Sequence, residues 1–583
     1  MDIVMDNSLN AAFGQGYERM AAWSDLLDDI NLFPVPDADT GRNLRISLAP
    51  LKFADHKDVS RRLLMSATGN SGNIAGAFFA EFTRIDTADD LLKAVTAGKD
   101  AAWSALGNPK PGTMLSVFDA LARALQTNDF QKPLSMPEPV LEQIKVSVLS
   151  TADTLSELRQ ADVVDSGALG MFLFFEGFLK SLAAQSEVLC DPYALFGSKI
   201  RITHPITARI AEGFCIDTVI VPTSGMDQAV QKLAAMGEHM VTVSNGERLK
   251  VHFHTPDASS ARQKLAAMGK TLRWKSDKIE CHPSAGLSKA NPQDVHIVTD
   301  AAGSLSRDAA RELGITLLDS YIILDGQPLP ESAVAADMLY AAMSRGAKVT
   351  TAQASIFERH QHYDYLTRRY ANLVYLCVGS VYTGNFEIAD QWAGQKRESG
   401  RMAVVDTGAA SGRLGLIARR VVQFAGAEDD PDRVVQHAEA VSRQCDELVF
   451  LDQLKFLAAG GRISKSSGFF GDLLNIKPII HPGAQGAQKV GVVKSRNAQV
   501  EFLLNHLGKR LNSESPVVIL LQYTDNQERV QSQIQPRIQA LLPLARISVQ
   551  PSQRLCSARI FDPTHPKLVE HFQANRHHAV AKH

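Results

Sequence analysis

The apolar period changes twice along this chain, which excludes one uniform architecture. From about residue 10 to 182, apolar side chains recur at three- and four-residue steps or their sum. Phe13, Tyr17, Met20, Leu27 and Ile30 share one face of a helix in this pattern. Further apolar helical runs are expected at Met114 to Leu125 and at Leu169 to Leu182. From about 183 to 290, strand-like runs take over at Phe214 to Val221, Met240 to Val243, Leu249 to His254 and Thr271 to Trp274. Helical runs fall between them, at about 226–236 and 258–268. The order β-α-β-β-α-β predicts a small ferredoxin-like α+β domain. The heptamer QKLAAMG occurs at Gln231 to Gly237 and at Gln263 to Gly269. It predicts a left-handed glycine cap where each helix ends.

From about 294 to 572, strand and helix alternate. Val295 to Thr299 is expected as a strand, followed by a helix capped by Ser306 and ended by Gly314. Ile315 to Leu324, Asn372 to Val378 and Met402 to Val405 are expected as further strands. Such alternation predicts a parallel α/β sheet, whose ligands bind at the carboxyl ends of strands. The fold class is therefore multidomain: all-α, then small α+β, then α/β. The expected boundaries are 8–182, 183–290 and 294–572.

Composition narrows the partners. The chain is 45% hydrophobic and 21% charged, with a net charge of −2, so nothing global favours nucleic acid or an anionic membrane. It holds no apolar run of membrane-spanning length. The N-terminus lacks the pattern of a secretory leader. Six cysteines spread without close pairing suit a reducing, cytoplasmic setting. Oligomeric state stays open, a homodimer included.

The chemistry-bearing segment is NLFPVPDADTGRN, Asn31 to Asn43. Two prolines discourage helix, and Asp37 and Asp39 then stand two residues apart on a loop. Gly41 is expected to permit a tight turn before the next helix. Hard Mg²⁺ usually takes one or two protein carboxylates and fills its shell from phosphates. The same pattern serves an Asp-capped turn, and spacing alone leaves both readings open. Thr68 to Asn73 (TGNSGN) and Asp165 to Gly170 (DSGALG) are small-residue turns entering helices, where backbone N–H groups can cradle phosphate. In the middle region, His252 and His254 point to one side of a strand. Cys215 is expected on the neighbouring strand. Cys plus two His suits Zn²⁺, and a packing cluster is the alternative.

FPVPDADTGRN, TGNSGN, KPGTML (Lys110 to Leu115) and VVDSGALG (Val163 to Gly170) together resemble the nucleotide-binding DhaL or DAK2 domain of dihydroxyacetone kinases. The resemblance implies a helical barrel with Mg-ATP at one end. It implies Asp37 and Asp39 as catalytic metal ligands. Thr40, Gly41, Arg42, Asn43, Asn70, Ser71 and Gly72 would hold phosphates, and Thr113, Met114, Asp165, Ser166 and Gly167 would line the nucleoside. Sugar-kinase members carry a third Asp just upstream, where this chain has Asn31 and Leu32. The FPVP version with Asn is similar to the fatty acid kinase branch. The middle region resembles the middle domain of the ATP-binding component of fatty acid kinase, implying Zn²⁺ at Cys215, His252 and His254.

Residues 294–500 resemble the DegV family of fatty-acid-binding proteins. The carrying segments are VHIVTDAAGSL, TTAQAS, VGSVYTGN, VVDTGAASGRLG, LAAGGRIS, LLNIKPII and VVKSRN, in order. By resemblance, Thr351 and Ser380 hydrogen-bond a fatty carboxylate and Arg462 stands beside the head group in a catalytic role. Three departures stand out. TSQPS has become TAQAS, SGT has become Thr383-Gly384-Asn385, and the family's final G-T-H-x-G-P-G segment has no counterpart after Val549. The expectation is a fatty acid kinase whose ATP-binding and acyl-binding parts share one chain. The alternatives are a non-catalytic lipid carrier with an ATP-linked switch and a dihydroxyacetone kinase.

Overall fold

The computed structural model describes residues 2–53, 59–85, 87, 90–127, 136–202, 213–233, 236–279, 295–395, 401–451, 476–483, 486–524 and 526–552. The chain divides into two compact units, Met1–Lys289 with Phe357–Tyr365, and Ala290–Ile356 with Leu366–His583.

The first unit begins as a helical domain. Its long helices Asp2–Ala22, Gly69–Phe82, Met114–Thr127 and Ser166–Leu182 converge on an aromatic core. Phe78 stacks on Phe118 with ring centroids 4.0 Å apart, and Phe13, Phe82 and Phe178 meet edge-on or tilted. Phe13, Tyr17, Met20, Leu27 and Ile30 are all buried, as their spacing predicts. Each such side chain contributes on the order of 1.5–3 kcal/mol by leaving water. The segment Phe357–Tyr365 joins this unit from far along the sequence. There Lys52 bridges Glu18 at 2.7 Å and Glu358 at 2.5 Å, and Tyr365 packs against Trp23.

The middle domain follows, with strands β1 (Phe214–Pro222), β2 (Glu238–Asn245), β3 (Arg248–Thr255) and β4 (Gly269–Lys278). Their order is β2-β3-β1-β4, with every neighbouring pair antiparallel. This is the ferredoxin-like order that the element sequence predicts. One face carries Ile216, Ile220, Leu249, Val251 and Phe253 against the helices Met226–Leu233 and Ala258–Met268. Alternation along β1 and β3 therefore puts Cys215, Asp217, Lys250, His252 and His254 on the opposite face. That face meets the helical domain. The edge of β2 is covered by residues 105–107, with a bridge between Leu106 and Val241 and a 2.8 Å bond from Thr242 N to the Ala105 carbonyl.

The glycines of the repeated heptamer do not act as left-handed caps. Gly269 has φ 168°, an extended value, and starts β4 at once. A Cβ there would stand 2.2 Å from the Val221 carbonyl oxygen, and one at Gly237 would stand 2.4 Å from that of His254. Close approach of neighbouring backbone, not handedness, calls for glycine at both.

The second unit is built on a parallel sheet in the order Met402–Asp406, Asn372–Cys377, Val295–Asp300, Thr316–Leu318. Ser306 caps the helix Arg307–Leu313 by accepting from Ala309 N, and Gly314 closes it at φ 68°. The expected strand Ile315 to Leu324 is two strands. Thr316–Leu318 stays in the parallel sheet, and Tyr321–Leu324 pairs antiparallel with Gln327–Pro330 and Val349–Ala352. Asp319, between them, accepts from the backbone N and hydroxyl of Ser332 at 2.6 and 2.8 Å, which turns the chain from one sheet to the other.

Gly41 lies inside the first turn of helix Thr40–Leu48, not in a turn before it. Its missing Cβ would stand 1.9 Å from the Ser24 carbonyl oxygen, so glycine is needed for helix crossing. Gly41→Ala is expected to cost about 1–3 kcal/mol or more through overpacking. Urea unfolding of the variant should show this, and an unchanged midpoint would contradict the packing described.

Candidate functional site

Asp37 and Asp39 stand on the loop between helices Ser24–Asp29 and Thr40–Leu48. The loop carries a cis Phe33–Pro34 peptide, and Ala38 sits at φ 52°. A left-handed alanine costs about 1–2 kcal/mol. It folds the chain between the acids so that their carboxyl groups come within hydrogen-bonding reach. Burial, then repulsion from Asp39, holds the Asp37 carboxyl well above the usual carboxylate range. Asp39 occupies the N-cap position, yet its side chain makes no capping hydrogen bond. Arg42 is the counter-charge beside the pair, 3.8 Å from Asp39.

Asn31 organises this loop. Its amide donates to Asp37 Oδ1 at 2.8 Å, and its carbonyl oxygen accepts from Thr40 Oγ1 at 2.8 Å and Ser166 Oγ at 3.4 Å. An Asp here would have no N–H to offer Asp37. The amide that departs from the sugar-kinase pattern therefore fits this wiring.

The acid pair opens on a cavity of about 530 Å³, within the size range of small-ligand sites. Thr40, Asn70, Ser71, Thr113 and Met114 line it, as do Asp165, Ser166 and Gly167. Lys110, in the KPGTML segment, supplies a cation to the wall. Four residues expected at phosphate do not line the cavity. Gly41 meets Ser24, Gly72 lies against Ser47, and the Asn43 amide fills the space beside Gly69. Arg42 pairs with Asp39, and its backbone N–H donates to Asp28 at 3.0 Å. Asp165 caps helix Ser166–Leu182 by accepting from Ala168 N at 2.7 Å.

The far wall comes from the middle domain. Cys215, His252 and His254 offer ligand atoms within 4.8 Å of one another, and all three line the same cavity. The register that pairs Cys215 with His254 and Asp217 with His252 brings them together. Burial, then His252 and His239, lowers His254 to about 3, so its imidazole is neutral and can bind a cation. Burial, then Asp217 and Asp39, pushes the Cys215 thiol well above its usual range. His252 turns Nδ1 toward Asp217 at 3.4 Å, and its buried Nε2 makes no hydrogen bond. A soft donor, two imidazoles and an orphaned ring nitrogen fit a metal ion.

Asp217 is not among the residues that the sequence singles out. It is wholly buried, and it accepts from Thr68 Oγ1, Gly69 N and Asn73 Nδ2, each at 3.0 Å. Burial would raise its carboxyl, but Lys250 at 3.2 Å and His252 outweigh that and hold it well below the usual range. The available signal is its i+2 spacing from Cys215, which places it on the histidine face.

Comparison with known proteins adds three matches. Residues 34–180 match the DAK2 domain, 211–282 the FakA-like middle domain of fatty acid kinase, and 294–558 the DegV family. The chain carries a DAK2 domain, a FakA-like middle domain and a DegV domain. An uncharacterised protein of Staphylococcus saprophyticus is 28% identical over 41% of this chain and 49% of its own length. Protein YloV of Bacillus subtilis is 26% identical over 54% of this chain and 64% of its own. The match thus spans between about half and two thirds of these curated relatives. Among solved structures, a fatty-acid-binding DegV family protein from Thermus thermophilus is 23% identical, with a TM-score of 0.40 over 46% of this chain and 94% of that one. The fatty acid kinase B3 protein of Streptococcus pneumoniae, loaded with linoleic acid, is 18% identical, with a TM-score of 0.39 over 46% and 96%. No helix among the described residues is long and apolar enough to cross a membrane.

Within the DegV domain, Ser380 follows the carboxyl end of strand Asn372–Cys377. Its hydroxyl donates to Asp406 Oδ2 at 2.6 Å, so donating to another carboxylate requires that hydroxyl to turn. Thr351 is exposed on Val349–Ala352, in the other sheet. Arg462 lies outside the described residues. Asn385, which departs from the family pattern, is buried and donates to Asp300 at 2.9 Å. Tyr375 Oη and Val378 N also donate to Asp300.

Burial raises Asp165 from 3.8 to about 7. Between those values the folded chain holds a proton that the unfolded chain has released. Its contribution therefore makes stability fall as pH rises from about 4 to about 7. Asp165→Asn should remove this part of the pH dependence. Urea midpoints at pH 5 and pH 8 test it, and an unchanged slope against the parent would contradict the burial argument.

Proposed function

We propose that this chain transfers the γ-phosphate of ATP to the carboxylate of a fatty acid held by its DegV domain, giving ADP and acyl phosphate. The observation that carries this reading is one cavity that gathers the close acid pair, a helix-entry loop and a Cys-His-His cluster, in a chain that also carries a DegV domain.

A close, half-buried pair of acids fits Mg²⁺, and Asp37 and Asp39 would hold it. Magnesium bound there would neutralise the phosphate charge that builds up during transfer. Cys215, His252 and His254 would hold Zn²⁺, which would supply fixed positive charge on the opposite wall. The N-terminus of helix Gly69–Phe82 presents Asn70 and Ser71 to the cavity, where backbone N–H groups favour phosphate. Lys110 adds a cation. A fatty carboxylate is ionised near neutral pH. One of its oxygens forms the new P–O bond as the bond to ADP breaks, and no proton must move. No general base is therefore needed, and positioning with charge neutralisation does the work. Sharing one chain raises the effective concentration of the acyl acceptor.

A second reading, a lipid carrier with a nucleotide switch, is favoured by one observation. The Ser380 hydroxyl is already engaged by Asp406. A dihydroxyacetone kinase is disfavoured by Asn31, whose amide bonds Asp37 where the sugar-kinase pattern has an acid.

Incubated with Mg-ATP and oleate, the parent protein should yield a hydroxylamine-trappable acyl phosphate. Asp37→Ala and Asp39→Ala should each reduce the yield by about a hundredfold or more while co-purified lipid is retained. Retained turnover in both variants would sink the acid-pair assignment. Elemental analysis of the purified protein should find zinc near one per chain. Cys215→Ala should lose most of it, and equal zinc in parent and variant would remove the metal assignment.

A further inference from the structure

Asp217 comes from the middle domain, yet three of its hydrogen-bond donors belong to the N-cap and first turns of helix Gly69–Phe82 in the helical domain. Thr68 Oγ1 and Gly69 N meet Oδ2, and Asn73 Nδ2 meets Oδ1. Thr68 has extended backbone at φ −146°, and Gly69 is left-handed at φ 65°. A glycine so placed contributes no side chain of its own to fix the turn. The Asn73 amide also donates to the Gly69 carbonyl at 2.7 Å, so Asp217 and Asn73 together bracket the first turn. On its other side Asp217 faces Lys250 at 3.2 Å and His252 at 3.4 Å, both wholly buried.

The surroundings demand acceptors at both oxygens. An amide of the same size would turn an NH₂ toward donors on one side or the other, and at least one bond would become a clash of hydrogens. Charge-assisted bonds of this type are about twice as strong as neutral ones. The packing beneath is apolar: Ala77, Ala105 and Val241 form a small buried cluster with Ile74 and Leu106. From the helical domain itself, the Ser47 hydroxyl accepts from Thr68 N at 3.1 Å. Arg273 also reaches across, donating to the Met65 carbonyl just before the loop.

We propose that Asp217 is a positioning residue that holds Thr68 to Asn73 in the shape in which Asn70 and Ser71 meet the nucleotide phosphates. The inference rests on the ATP reading of the cavity. It assigns the middle domain a role in nucleotide affinity through a residue that is not itself one of the Cys-His-His ligands, although it faces His252. Asp217 does not touch the nucleotide. It acts through the loop.

The test is a calorimetric titration of the full chain with Mg-ADP, which needs no turnover. Asp217→Asn alone leaves Lys250 buried without its partner and is prone to misfold. Asp217→Asn with Lys250→Met removes the pair together, and Thr68→Val removes one loop contact while leaving every candidate metal ligand in place. The expected result is a dissociation constant raised about tenfold or more in the double variant and severalfold in Thr68→Val, with melting temperature and zinc content close to those of the parent. Equal affinity in parent and both variants would overturn the proposal. So would an affinity loss matched by zinc loss in the double variant with Thr68→Val unchanged. No binding by the parent itself would instead count against the ATP reading, which keeps the two failures distinct.

Discussion

Asp217 lies wholly buried between the middle-domain sheet and the entry of helix Gly69–Phe82, and a charge so placed must be met on every side. Lys250 and His252 meet it from its own sheet, and Thr68, Gly69 and Asn73 meet it from the helical domain. This meeting makes one cavity out of two domains. The acid pair, the loop and Lys110 form one wall, and Cys215, His252 and His254 form the other. Ferredoxin-like strand order is what allows it. With β1 beside β3, the apolar residues serve the domain's own core, and the alternate residues are left for chemistry.

Much of this is legible in residue patterns. Helical period locates the aromatic core, and the element order of the middle region predicts its strand order. The motifs single out Asp37, Asp39 and many of the residues that line the cavity. What escapes is whatever depends on how distant segments meet. Gly41, Gly237 and Gly269 are glycines for a reason, but the reason is a carbonyl from another element, which local sequence does not reveal. Ala38 takes a left-handed conformation without the glycine or asparagine that would announce it. Asp217 reads as one more polar residue on a strand, because its donors lie about 150 residues earlier. The joining of Phe357–Tyr365 to the first unit has no local signature either. The split of Ile315 to Leu324 between two sheets turns on Asp319, whose partner Ser332 lies beyond the next hairpin.

The chemistry this arrangement supports is economical. If the acceptor is a fatty carboxylate, as proposed, it is already an anion, and the site needs no base. What it needs is countercharge and alignment. Asp37 and Asp39 stand side by side, and burial with Asp39 beside it holds the Asp37 carboxyl well above its usual range. Asn31 keeps their loop in place by donating to one acid while accepting from Thr40 and Ser166. On the proposed reading the DegV domain would bring the anionic acceptor; its Ser380 follows the carboxyl end of a parallel strand, where ligands of such sheets bind.

On the proposed reading, phosphate passes from nucleotide to fatty carboxylate on this one chain. The most direct measurement follows the label from γ-phosphate-labelled ATP into lipid extracted after incubation with the purified protein, magnesium and oleate. Label should appear in an organic-soluble product that hydroxylamine discharges as unlabelled hydroxamate, with ADP formed in equal amount. Label that remains in ATP while oleate stays bound to the protein would contradict that reading.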